Sequence, residues 1–326
     1  MPIPLIIGAG SGLVSAALFA SAATATILAG VLFYLAPLPL CLAGLGWGSG
    51  AAIVSAVTGT LVVALGLGPP TAAIFAVSIA APTALLAHLA LLSRPAPDTA
   101  PKGQADTARQ WYPPGRLIGW AAIMAGLLAA MLVLFLGYDQ DSYRESIRDI
   151  LNHSSLKDLD PDGTLFTETT IDNVAGLIAR ALPGAFAIVW LAITLFNLWL
   201  AGRIVDASGR ALRPWPDLHA IKLPNAFLLI FAPALAASFV PGLPGLVATG
   251  FAGALLFAYT LEGLAVIHAF SRGMRFRGLL LTIVYLGILL LGWVAIIVAI
   301  IGLAEPSLGL RQRARDEHPP KSDGMV

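Results

Sequence analysis

The chain has 326 residues, of which 58% are hydrophobic and only 11% charged, with a net charge of +1 and a mean hydropathy of +0.84. Soluble domains carry about 25% charged residues because their surfaces face water, so a chain this poor in charge is solvated mostly by lipid. The balanced charge, and the lack of zinc-ligand spacing, a phosphate-binding glycine loop or a basic patch with interleaved aromatics, argue against nucleic acid as a partner and give no cofactor to expect.

A helix of about 20 apolar residues crosses about 30 Å of hydrocarbon. Such runs predict an all-α, polytopic transmembrane helical bundle of about nine spans, with eight to ten compatible with the pattern. The first run covers residues 3–23 and the second 24–45. Phe19-Ala-Ser-Ala-Ala resembles a signal-cleavage site, but residues 1–20 hold no Lys or Arg, so the run reads as a retained span. No charge or proline separates these two runs, and one long kinked helix or a re-entrant piece are both open readings there. Pro37 and Pro39 are candidate breaks in the second span, and the Gly-rich stretch 44–50 is the place expected for non-helical backbone at membrane depth. Cys41, the single cysteine, sits in this apolar region and reads as a small hydrophobe.

The third and fourth runs cover 49–67 and 71–93, followed by a polar segment, 94–116, and a fifth run, 117–137. An insert at 138–172 then carries nine carboxylates against Arg144, Arg148 and Lys157. Within it, Tyr143, Ile147, Ile150 and Leu151 recur at helical spacing, predicting a short amphipathic helix over 142–156 that lies on the membrane surface, caps a cavity or presents a merely solvated face. Asp158-Leu-Asp-Pro-Asp-Gly163 lacks the twelve-residue loop ending in Glu that calcium requires, and reads as a turn. The sixth run is 173–202, the seventh 225–240, the eighth 245–270 and the ninth 278–303.

Lys and Arg concentrate in 94–116, 203–224 and 271–277. The positive-inside tendency places these loops in the cytoplasm and the acidic insert 138–172 outside a cell inner membrane. Residues 1–310 form one multi-pass domain on this reading, and 311–326 a charged tail expected to be disordered. Nine spans put that tail outside, where Arg311, Arg313 and Arg315 fit the charge rule badly.

Ionisable or polar groups inside spans cost free energy and are candidate solute or cavity residues by default. Glu262 lies about eight residues, or about 12 Å, from the inner end of its span, with Tyr259 one turn away on the same face. Glu262 could bind a cationic solute or a proton, or join helices as a neutral hydrogen-bonding group. His268 and His88 sit near span ends, where headgroup-level placement is the plain reading. Arg180, about eight residues into the sixth span from the insert side, reads either as snorkelling outward along its stem or as pairing with an acid of the insert, and Pro183-Gly184 just after it predicts a kink. Asn197 and Asn225 read as polar contacts between helices. Ala16-x-x-x-Ala20 is a candidate helix-packing patch, although such spacing is common in an alanine-rich segment. No catalytic constellation stands out.

Tyr259-Thr-Leu-Glu-Gly-Leu-Ala-Val-Ile-His268, Gly302-Leu-Ala-Glu-Pro-Ser-Leu-Gly-Leu-Arg311, and Pro37-Leu-Pro39 followed by Gly44-x-x-x-Gly48 resemble the YybS-like membrane proteins of bacteria, a family without an assigned function. That family is distantly similar to the substrate-binding S components of energy-coupling-factor transporters, small helical bundles that bind a vitamin near the outer face. The resemblance implies a solute site near the outer face, its mouth closed in part by the acidic insert, and docking on other membrane subunits through small residues such as Ala16 and Ala20. Three functions therefore stand open: a transporter-like solute-binding subunit with its solute unnamed, a membrane scaffold, and a membrane enzyme acting on lipid.

Overall fold

Lipid offers no partner for a backbone N–H or C=O, so each apolar segment satisfies its own groups by coiling. The computed structural model describes residues 3–95, 109–153, 167–218, 221–272 and 274–309. The expected turn at Asp158–Gly163 and the tail 311–326 lie outside the described residues. Among the described residues, the regular structure apart from one short strand pair is helical, and seven helices are long and apolar enough to cross a membrane. The chain is a polytopic helical bundle, as its composition requires.

The first span is α1 (Ile3–Ala20), closed by a 3-10 turn, Ser21–Thr24. The boundary to the second span is made by Ala25 in the left-handed region (φ 49°), followed by Thr26, whose hydroxyl accepts the Ala29 N–H at 3.1 Å. This is an N-cap, and it settles the open boundary in favour of two helices. The second span is broken as its prolines predicted, into α2 (Ile27–Tyr34) and α3 (Pro37–Trp47). Then come α4 (Ser49–Leu67), α5 (Pro69–Phe75), a π-helical stretch at Ala76–Ala80 and α6 (Ala81–Leu91). Strands β1 (Ser93–Pro95) and β2 (Arg109–Trp111) pair antiparallel and bring the ends of the first polar segment together.

The second half begins with α7 (Pro114–Leu136) and the insert helix α8 (Gln140–Asn152). It continues with the 40-residue α9 (Glu168–Ala207), then α10 (Leu228–Ala237) and α11 (Leu243–Phe270). The last elements are α12 (Arg277–Leu291) and α13 (Val294–Leu308). The expected ninth span is two helices: Gly292, at φ +54°, ends α12, and the chain turns before α13. No residue of α12 is buried. In α13, by contrast, residues 295, 298 and 302 all meet the 259–263 stretch of α11.

Contacts between helices trace the chain's path. Gly8 of α1 meets Ala51 and Val54 of α4, while Gly12 meets Ser55 and Gly59, so α1 and α4 run parallel and α2–α3 returns between them. A Cβ at Gly12 would stand 2.5 Å from the Ser55 carbonyl, so only glycine allows this approach. Helices α9 and α11 are parallel too: Ala175 and Ala179 cluster with Leu246, Gly184 meets Thr249, and Leu198 shares a cavity wall with Phe257 and Leu261. The chain must therefore cross back between them. Residues 223–240 do so, from Leu223 beside Glu262 to Val240 beside Gly245. Helix α10 has 10 residues, about 15 Å, and covers only part of that path.

The larger core joins α7, α9 and α11 through small residues, among them Ala121, Ala125, Ala187, Ala254 and Ala258. A second cluster holds the N-terminal helices together around Phe19, Leu40 and Phe75. Cys41 is 1% exposed in the larger core, where it fills space.

Candidate functional site

The insert helix is where the sequence pattern becomes a site. Asp139 caps α8: its carboxylate accepts the Ser142 N–H at 2.7 Å, and the Ser142 hydroxyl accepts the Asp139 N–H at 3.1 Å. These hydrogen bonds hold the Asp139 carboxyl below the usual carboxylate range. Tyr143 and Ile147 are buried against α9, whereas Ile150 is 56% exposed, so the apolar face is narrower than its spacing implied. Burial pushes the Tyr143 hydroxyl up to about 12, and it stays a donor. It donates to the Ala179 carbonyl at 3.1 Å. Pro183, four residues on, has no N–H to return to that carbonyl. The insert thus supplies the hydrogen bond that the proline removes.

Between α8 and α9 lies a polar cavity of 410 Å³ whose walls include Gln140, Tyr143, Arg144, Asn173 and Arg180. Arg148 pairs with Glu168 and Asp172, which lifts its guanidinium above its ordinary value. Arg144 instead lies across Gly176 and donates to the Asp172 backbone carbonyl at 3.0 Å. Among the described residues, neither Arg144 nor Arg180 has a carboxylate within ion-pair distance. The cavity therefore faces two guanidinium groups that have no ion-pair partner among the described residues, an arrangement fit for a carboxylate or phosphate.

The other expected residues lie elsewhere. Glu262 is fully buried, and its Oε2 accepts the Leu223 N–H at 3.2 Å where loop 208–224 dips into the bundle. It does not line the polar cavity between α8 and α9. Tyr259 is buried and packs its ring on Phe231, with centroids 5.4 Å apart. His268 shares a 2.8 Å hydrogen bond with the Tyr285 hydroxyl, and His88 one of 2.9 Å with Ser49. Asn197 is buried and donates to the Tyr34 carbonyl at 2.9 Å, at the break between α2 and α3. Ala16 is 2% exposed on the face of α1 turned toward α4, and Ala20 is half-buried. The tightest contacts on that face belong to Gly8 and Gly12, whose four-residue spacing is itself a packing signal in the sequence.

Two further features escaped the sequence reading. The Trp190 indole donates to the Ser78 carbonyl at 2.8 Å, which Pro82 cannot serve. At the opposite end, Arg203, Arg210 and Arg213 stand over the rings of Trp215, Trp47 and Trp111 at 5.6, 5.3 and 5.8 Å from their centroids. Arg210–Trp47 and Arg213–Trp111 join distant parts of the chain, and Arg203–Trp215 closes through a loop, so spacing could not reveal them.

A family model described as "Predicted membrane protein (DUF2232)" matches residues 13–305. The chain belongs to this family. The match takes in every span from the middle of α1 to α13, the insert included, so the polar cavity and the basic-end loops both fall within the family's shared region. No curated protein and no solved structure matches the chain.

Proposed function

We propose that the chain is a multi-pass inner-membrane protein that binds a small anionic solute beneath the insert, in the manner of a transporter's solute-binding subunit. The basic loops lie in the cytoplasm and the acidic insert outside, so the solute arrives from outside. The carrying observation is the pair Arg144 and Arg180 at a 410 Å³ polar cavity, with no carboxylate in ion-pair distance of either among the described residues. An anion entering there meets two exposed guanidinium groups at one cavity wall, each able to give charge-assisted hydrogen bonds to it. The resemblance to S components, which bind their vitamins near the outer face, supports the same placement. In this reading Arg180 and Arg144 hold the solute, Tyr143 shapes the wall, and Glu262, Tyr259, His268 and Asn197 maintain the bundle.

A scaffold role has one observation in its favour. Glu262 and Asn197 are engaged with backbone groups of the protein itself, so those two sites are structural. The two readings separate in one measurement. Thermal unfolding in nanodiscs, with inorganic phosphate and then succinate as probes, should show stabilisation by at least one of them, with Arg180→Gln reducing that shift. No shift with either anion, or an equal shift in the variant, would leave the scaffold reading.

A further inference from the structure

The basic end holds a second cavity that solute binding does not use. It has a volume of 330 Å³ and lies between α9, α11 and the loop after α9, with Phe196, Trp199, Phe257, Leu261, Arg213 and Trp215 among its walls. Phe196 and Trp199 are 51% and 42% exposed on the outer side of α9, so the cavity opens sideways toward the hydrocarbon of the bilayer. Trp215 roofs it from the loop, seated on Gly202, where a Cβ would overlap the indole ring.

An apolar chamber open to lipid accepts any acyl chain; its charged wall decides which headgroup follows. Arg213 is part of that wall at the level where α6 ends, its Nη1 donating to the Ala90 carbonyl at 2.8 Å. The same Nη1 reaches the Tyr112 carbonyl at 3.5 Å, and among the described residues no carboxylate pairs with the guanidinium. Arg203 stands over the same Trp215 that roofs the chamber. Asp206 is the acidic residue of the lining, and it is exposed rather than turned to Arg213 as an ion-pair partner. A half-buried guanidinium with no carboxylate partner among the described residues, in the wall of an apolar slot, matches a phosphodiester joined to a chain.

We propose that this cavity takes one acyl chain of an anionic phospholipid from the surrounding bilayer, with the lipid phosphate held at Arg213. The site is independent of the solute pocket, which lies at the other end of α9, so either can fail without the other.

Native mass spectrometry of the full chain in detergent tests this, with phosphatidylglycerol and phosphatidylcholine of identical chains as probes. The wild type should hold one phosphatidylglycerol about tenfold more tightly than phosphatidylcholine, the scale of one charge-assisted hydrogen bond. Arg213→Gln should erase that preference. Because Arg213 also serves the Ala90 carbonyl, a second variant is needed that leaves charge untouched. Ala192→Phe fills the cavity and should abolish the retained lipid. Equal retention of the two lipids by the wild type would overturn the proposal, as would wild-type phosphatidylglycerol binding by Ala192→Phe.

Discussion

Single side chains from neighbouring helices serve the backbone groups that helix breaks leave bare. Leu38 turns its N–H to the Leu35 carbonyl, which leaves the Tyr34 carbonyl to Asn197, while the Ser15 hydroxyl serves Ala36 at 2.6 Å. Trp190 serves Ser78, and Tyr143 serves Ala179. Water cannot reach such carbonyls at membrane depth, so an unserved one costs its full desolvation. Asn197→Ala should therefore lower stability by about 1–3 kcal/mol, read as an earlier thermal unfolding midpoint in detergent. An unchanged midpoint would mean that the Tyr34 carbonyl finds another donor. Asn197 was legible in the sequence as a polar contact inside a span. Its partner was not, because Tyr34 lies 163 residues away and is exposed as an acceptor only by the break beside it.

At the scale of elements, α9 organises the protein. Its 40 residues exceed the about 20 of a membrane crossing, and the excess carries the insert contacts on one side and the arginine–tryptophan rim on the other. The span of 173–202 seen in the sequence is its apolar middle; Glu168, Asp172 and Asp206 hide the extensions from any hydropathy window. Helix α8 docks on α9 through Tyr143 at the notch left by Pro183. Tyr143→Phe keeps the ring packing and removes only the donor, so it should loosen α8 by about 1 kcal/mol. Faster amide hydrogen exchange confined to α8 and the turn before Pro183 would display this, whereas exchange at wild-type rates would show the hydroxyl to be dispensable. The division of the ninth run into α12 and α13 shows the opposite limit of hydropathy. Both halves are apolar, and the break is a single positive-φ glycine, Gly292, within a continuous hydrophobic sequence. Close contacts of α13 with Tyr259 and Gly263 draw it across α11 rather than along it.

The whole molecule has two chemically different ends. Loop 208–224 packs against the ends of α6 and α7, with Arg213 on the Ala90 carbonyl and Lys222 beside Gly115, while α8 lies at the far end of α9. If the basic end is cytoplasmic, a cysteine placed at Glu145 should react with a membrane-impermeant maleimide in intact cells. One placed at Ser208 should react only after permeabilisation. Both positions are exposed, and the native Cys41 is 1% exposed and adds no background. Labelling of both positions in intact cells, or the reversed pattern, would refute the orientation.

Composition and apolar run length alone determined that this chain is a membrane-spanning helical bundle, because so few charged residues leave lipid as its solvent. The prolines at 37 and 39 marked a break and the carboxylate-rich insert marked an amphipathic helix, since both are local properties of a few consecutive residues. Tertiary structure decided which polar residues are spent on backbone groups and which face a cavity. Glu262 drew attention as a costly buried charge and proved to hold the Leu223 N–H, whereas Arg144, unremarkable within an acidic loop, joined Arg180 at a polar pocket. Burial cost can be read residue by residue, but a binding site needs groups from separate helices to converge, and that convergence is set by packing.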